Sequence, residues 1–381
     1  MRGGDVSLGD AVGKSSLRQR NPLLAELLID QVPLALGTFL LGIAASYWLY
    51  GFLPGADHSF PVAGIRVPLW HLVWMGFWTG YIMAIVGQAA GLFALSYSIS
   101  ILRFDNLSLS PTSLVITLIN PFGALLGFWR GKQWNLDLTV WLCAGAVLGA
   151  PLGPFVRVYL VSDPVSFKAF VGVVLAIMAA QLWLEIIRGL RRNAASQRAF
   201  SARFDESAAA ATRAGKAPSG LNKDFRIATL ERSLMRVKIG YYDQDVTLHT
   251  LVMVLIGFVV GLVGTALGIG GGFLLVPILV VGYRLPMYVI VAASIPFVIV
   301  LSLVGLLSYN ITLPLLTGIT TPPDWAFGFF AASGATFGAW LAAKTQRFVP
   351  ERYLKPMLGA LTGLVGGLYI VNYFWPLPFH V

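Results

Sequence analysis

The sequence predicts an all-α integral membrane protein: two inverted four-segment repeats whose first helices are broken by glycines, plus one extra transmembrane helix ahead of them. Three observations lead there. The 381 residues are 57% hydrophobic and only 12% charged, with a mean hydropathy of +0.75, whereas soluble domains carry roughly a quarter charged residues. A pattern Gly76-Phe77-x-x-Gly80, then Gly87-x-x-x-Gly91, recurs as Gly257-Phe258-x-x-Gly261, then Gly268-x-x-x-Gly272, at a constant offset of 181. Finally, the basic residues sort to one side of a bilayer only if each glycine-broken segment returns to the side it left.

Met1 to Asn21 is polar and lacks the apolar core of a signal peptide, so residues 1–31 are expected to form a retained, disordered cytoplasmic tail. Val32 to Leu53 is long and apolar enough for the extra helix. The first repeat, Leu69 to Ile187, holds apolar segments at Leu69 to Ile101, Thr112 to Trp129, Leu136 to Leu160 and Phe167 to Ile187. Residues 188–245 are a basic, Ala/Ser-rich linker. Apolar residues at Phe225, Ile227, Leu230, Leu234 and Val237 suggest an amphipathic helix over Leu221 to Val237, lying at the cytoplasmic lipid surface or docked on the bundle, with a plain solvated linker helix as the alternative. The second repeat, residues 246–374, holds segments at Val246 to Val281, Met287 to Tyr309, Trp325 to Ala343 and Leu354 to Phe374.

Further positions match between the halves. Ser113 corresponds to Ser294 at 181, Gly145 and Gly149 to Gly334 and Gly338 at 189, and Lys168 and Gly172 to Lys355 and Gly359 at 187. Loop-length changes account for the drift. If every segment crosses once, either the twelve Lys/Arg of the linker or those of the N-terminal tail and the Lys344–Lys355 cluster end up outside. If the broken segments dip and return, 23 of the 27 Lys/Arg lie inside, and only Arg66, Arg103, Arg157 and Lys168 lie outside. Each repeat then crosses three times, so the second is inverted. That is a common plan of secondary transporters, with substrate held near the midplane. The expected location is the cell inner membrane, with the N-terminus and linker cytoplasmic.

The loop Val263-Gly264-Thr265-Ala266-Leu267-Gly268-Ile269-Gly270-Gly271-Gly272, followed by Phe273 and Pro277, resembles the TauE/SafE family of sulfite and organosulfur-anion exporters, as do Thr112-Ser113-Leu114 and Ala292-Ala293-Ser294. The resemblance covers nearly all of Leu69 to Phe374. It implies a permease for small sulfur-containing or carboxylate anions. The first repeat departs from the family pattern, with Gly87-Gln88-Ala89-Ala90-Gly91 in place of a second triple glycine and Ser96 where the second repeat has Pro277.

The residues support an anion site on their own terms. Successive glycines admit positive φ and close approach, and the half-helix after them presents free N–H groups and the positive end of its dipole. The expected substrate-binding residues are Gly87, Gln88, Gly91, Thr112, Ser113, Gly268, Gly270, Gly271, Gly272 and Ser294. Each has a plainer reading. Gln88 could make a structural amide bond, Ser113 and Ser294 could bond back to their own helices, and Asn120-Pro121 could be a kink rather than cavity lining. Gly145, Gly149, Gly334 and Gly338 read as packing positions.

No cofactor is expected. A single Cys143 and four scattered histidines form no metal set, and no histidine lies mid-segment to serve an enzyme. Gly268-x-Gly270 is followed by no P-loop lysine. The expected partners are a small anion, the lipid bilayer and at most a second copy of the chain as a homodimer, not nucleic acid. The function read here is a secondary transporter working by alternating access. The alternative is an anion or cation channel using the same broken-helix site.

Overall fold

The computed structural model describes residues 27–52, 58–85, 91–123, 125, 136–191, 228–233, 235–241, 244–283, 287–345 and 351–375. Helix α1 spans Leu27–Tyr50, opening with a π turn at Leu27–Gln31 and ending at Gly51, whose φ of 76° lets its N–H reach the Tyr47 carbonyl. A two-stranded hairpin follows, β1 Ser59–Phe60 and β2 Ile65–Arg66. Next come α2 Leu69–Ile85, α3 Gly91–Ser100, α4 Leu109–Ile119, α5 Leu136–Leu160, which tightens and then widens through 3-10 and π turns, and α6 Pro164–Arg191. Strands β3 Ala228–Arg232, β4 Arg236–Tyr241 and β5 Gln244–His249 form an antiparallel sheet. The remaining helices are α7 Thr250–Leu267, α8 Gly272–Tyr283, α9 Met287–Leu307 with further turns to Thr317, α10 Trp325–Thr345 and α11 Glu351–Phe374. Among the described residues, six helices are long and apolar enough to cross a membrane. The protein is a multi-pass, mostly helical membrane protein.

Two expectations are corrected. In the described part of the expected amphipathic helix, residues 228–232 and 236–237 are β-strand, so the chain is not purely helical. Residues flanking Val237 and Leu248 are exposed or half-exposed while those two are buried and face each other across the ladder, an alternation of period two. Helix α1 also begins at Leu27, inside the stretch read as tail. Gln31 there is buried and donates to the Gly123 carbonyl at 3.1 Å. The rest of the expected tail, residues 1–26, lies outside the described residues.

Glycines decide how the helices pack. Helix α2 runs parallel to α10: a Cβ on Gly76 would sit 1.8 Å from the Ala331 carbonyl oxygen, and on Gly334 and Gly338 it would sit 1.9 and 2.1 Å from those of Val73 and Phe77. Helix α7 runs parallel to α5 in the same way. A Cβ on Gly257 would lie 2.2 Å from the Leu142 oxygen, and on Gly145 and Gly149 it would lie 2.0 Å from those of Val254 and Phe258. These contacts are equivalent: Gly76 and Gly257, Ala331 and Leu142, Val73 and Val254, Phe77 and Phe258 are related by the offsets of 181 and 189 seen in the sequence. Helices α6 and α11 pack antiparallel, Gly172 against Gly366 and Tyr369, and Gly359 against Leu182 and Trp183.

Helix α1 lies on the outside of this bundle. Gly42 lets it approach the Phe330 ring, which Phe39 meets edge-on at 5.1 Å, while Leu36, Leu40, Leu41 and Trp48 are exposed. Its far end is fixed by Asp324, a buried carboxylate that accepts from the Tyr50 hydroxyl at 2.7 Å, the Ala63 N–H at 3.1 Å and the Phe327 N–H at 3.0 Å. The last bond caps α10.

Because the two glycine seams are equivalent, Gly145→Val and Gly334→Val are expected to destabilise the protein by similar amounts, about 1–3 kcal/mol or more through overpacking. Thermal unfolding of the purified protein in detergent checks this. Gly37, half-buried with nothing near its added Cβ, is the control: Gly37→Ala should leave the melting temperature unchanged or raise it.

Candidate functional site

Helix α7 ends because Gly268 takes φ 80°. Its N–H returns to the Thr265 carbonyl at 3.1 Å and that of Ile269 to Gly264 at 2.9 Å, closing the helix end. Gly270 and Gly271 also have positive φ, 70° and 69°. Three left-handed residues within four positions exclude a continuous helix. The Gly272 N–H turns back to the Gly270 carbonyl at 2.9 Å, and α8 starts there.

This loop rests on one face of α4. Ser110, Ser113 and Thr117, spaced by three and four, share that face. The Ser110 hydroxyl donates to the Ala266 carbonyl at 2.9 Å, and a Cβ on Gly268 would fall 2.2 Å from the Ser110 oxygen. A Cβ on Gly270 would lie 3.0 Å from the Thr117 Cβ and 3.1 Å from Val298. Ser113 lies between Ser110 and Thr117, is buried, and its hydroxyl has no hydrogen-bond partner. A buried hydroxyl left unmatched costs about 1–3 kcal/mol, which marks it as a group held ready for something else.

The first half reaches the same spot. Gly91, the first residue of α3, lies against both Thr117 and Ile269: its added Cβ would be 2.4 Å from the Thr117 methyl and 2.9 Å from the Ile269 Cα. The starts of the short helices α3 and α8 therefore converge at the Gly268–Gly272 loop. Helices α4 and α9 close the arrangement through the buried Thr117–Ser302 hydroxyl pair at 3.0 Å.

The expected site residues divide as follows. Gly91, Ser113, Gly268, Gly270 and Gly272 are brought together. Gly271 is in the loop but packs toward Val260 and Leu301. Ser294 is buried and engaged, one turn from Val298 on α9. Thr112 faces the other way, accepting from the Asp324 N–H at 2.8 Å and donating to the Ser108 carbonyl at 2.6 Å, a structural role. Gly87 and Gln88 lie outside the described residues. Asn120 ends α4, buried, with its side-chain amide oxygen unmatched. The reading of the sequence missed Ser110, Thr117 and Ser302. A hydroxyl stripe at i, i+3 and i+7 in an apolar helix was the available signal for the first two. No group of three or more metal-ligating side chains occurs among the described residues.

Residues 23–182 and 72–369 match the family described as sulfite exporter TauE/SafE. The chain belongs to the TauE/SafE family. Comparisons with curated proteins and with solved structures return no match. TauE/SafE proteins are membrane transporters and not enzymes, and membership implies export or transport of sulfur anions. For a TauE/SafE transporter, an arrangement built of amide N–H groups, helix starts and hydroxyls is chemically suited to a small anion, since each of these presents hydrogen to it.

The hydroxyls separate structure from site. Ser110→Ala and Thr112→Ala, each losing a buried hydrogen bond, should lower stability by about 1–3 kcal/mol. Ser113→Ala removes a hydroxyl with no partner and should leave the melting temperature unchanged or raised. Thermal melts of the three variants in detergent decide this.

Proposed function

We propose that this protein is a secondary transporter that moves a small anion, sulfite or a sulfonate, thiol-derived or carboxylate relative, across the cell inner membrane by alternating access. The observation that carries this reading is the meeting of Gly91 with Ile269: two short helices, one from each half, begin at a common buried point beside the unmatched Ser113 hydroxyl. Helix starts carry about half a positive charge each. Two of them, with no carboxylate placed among them, favour an anion held by dipoles rather than by a fixed ion pair.

The equivalent glycine contacts of the two halves, with antiparallel packing of α6 on α11, support reading the halves as inverted repeats with re-entrant, glycine-broken first helices. Such a duplication gives two conformations of related geometry, one open to each side. The charge distribution supports a cytoplasmic N-terminus and linker. Arg236 and Lys238 sit on the sheet that joins the start of α7, where the Thr250 N–H donates to the Met235 carbonyl at 3.1 Å.

Gly271→Leu places a branched side chain at φ 69° and 2.7 Å from Val260 Cγ1. It should abolish sulfite uptake into proteoliposomes while membrane insertion persists. Uptake that survives this change removes the loop from the site. Saturation with counterflow of labelled sulfite is the expected signature of a carrier. Current without exchange would overturn it in favour of a channel.

A further inference from the structure

Arg157 lies in the π turn that ends α5 and is fully buried, at 0% exposure. Its guanidinium stacks 3.8 Å above the Phe167 ring. It donates to three backbone carbonyls, those of Val161, Ser162 and Asn106. All three acceptors are neutral, and the Nε donor has no partner at all. The carboxylate that acts on it electrostatically, Asp163, is on the surface and committed to the Ser166 N–H at 2.8 Å, which holds its pKa below the usual carboxylate range. A buried cation without a buried counter-charge is costly, by several kcal/mol, unless an anion comes to it.

The surroundings connect this cation to the glycine loop. One turn before Arg157, Gly153 lies against the end of α7: its added Cβ would be 2.6 Å from the Ala266 nitrogen and 2.7 Å from the Thr265 Cβ. Tyr309, fully buried and within electrostatic range of Arg157, donates to the Thr265 carbonyl at 3.3 Å and meets the Ser110 hydroxyl. The Thr265 hydroxyl is itself buried without a partner. Two unmatched donors, Arg157 Nε and Thr265 Oγ1, thus stand on the two helices that Gly153 brings into contact, with Ser110 leading on to Gly268.

We propose that Arg157 is the fixed cation of a second anion subsite, which receives a small oxyanion beside the last turn of α7 before or after it occupies the glycine loop. The inference rests on the anion-transport reading and deepens it. A permanently charged guanidinium with an unclaimed Nε–H suits an oxyanion, whose oxygen would accept a charge-assisted bond from it. The loop site, lacking a charged side chain, then exchanges its anion with a neighbouring site that has one.

The test is sulfite uptake by proteoliposomes containing Arg157→Gln, Arg157→Lys or the unaltered chain. Arg157→Gln should raise the half-saturating sulfite concentration by about tenfold or more with a smaller change in maximal rate, and Arg157→Lys should recover part of the affinity. Equal half-saturation in all three overturns the proposal while leaving the transport reading intact, whereas absence of saturable uptake by the unaltered chain overturns that reading instead. Selenite-soaked crystals of the unaltered protein supply an answer that does not depend on the variants folding. Anomalous density should appear within about 4 Å of the guanidinium. Density at the Gly268–Gly272 loop alone, or at neither place, overturns the second subsite.

Discussion

Backbone-to-backbone approach between helices is the constraint on which the rest depends. Along the α2–α10 and α5–α7 seams, the position of an added Cβ would fall about two ångströms from a facing carbonyl oxygen, well inside any contact that real atoms tolerate. In lipid, where apolar side chains gain nothing by leaving hydrocarbon for a neighbouring helix, close packing of this kind is a principal source of helix association. The seams fix the axial position of α7 against α5, and hence where α7 stops. The glycine loop is positioned by that stop, and Ser110 and Gly153 come up against it from α4 and α5.

The loop itself shows how irregular backbone is accommodated inside a helical bundle. Each left-handed glycine turns a carbonyl or N–H away from helical geometry, and hydrocarbon would leave those groups without partners. Here the Ala266 carbonyl receives Ser110, the Thr265 carbonyl receives Tyr309, and Gly264 and Gly270 accept from Ile269 and Gly272. What stays unmatched nearby is a small set of buried groups, the Ser113 and Thr265 hydroxyls, the Asn120 side-chain oxygen and the Arg157 Nε–H. Of these the guanidinium N–H can only donate, whereas the hydroxyls can donate or accept.

The sequence disclosed the helices and the glycines, because glycine spacing at i and i+4 reports the face along which helices touch, and the repeat offset reports it twice. The linker was misread for a physical reason. Over a short run, Phe225, Ile227, Leu230, Leu234 and Val237 satisfy a helical period, yet Arg236-Val237-Lys238 and Thr247-Leu248-His249 satisfy a strand period as well, and pairing across β4 and β5 decides between them. In the site, the backbone elements were legible and several side chains were not. Thr117 bonds Ser302, 185 residues away, whereas its repeat equivalent is Val298, so the internal duplication conceals this pair. Thr112 and Ser113 are adjacent in the chain but about 100° apart around α4, and only the partner of Thr112, the Asp324 N–H at the start of α10, shows which one is structural. Arg157 was counted as a loop charge because it stands at the end of an apolar run.

The seams have one more consequence. Each joins a helix from the first half to a helix from the second, α2 with α10 and α7 with α5, so neither half contains a complete seam of its own. A polypeptide consisting of one half would find a mate for its seam helices only on another molecule. The match of Gly76 with Gly257 thus means that each half supplies the helix that the other half's seam lacks.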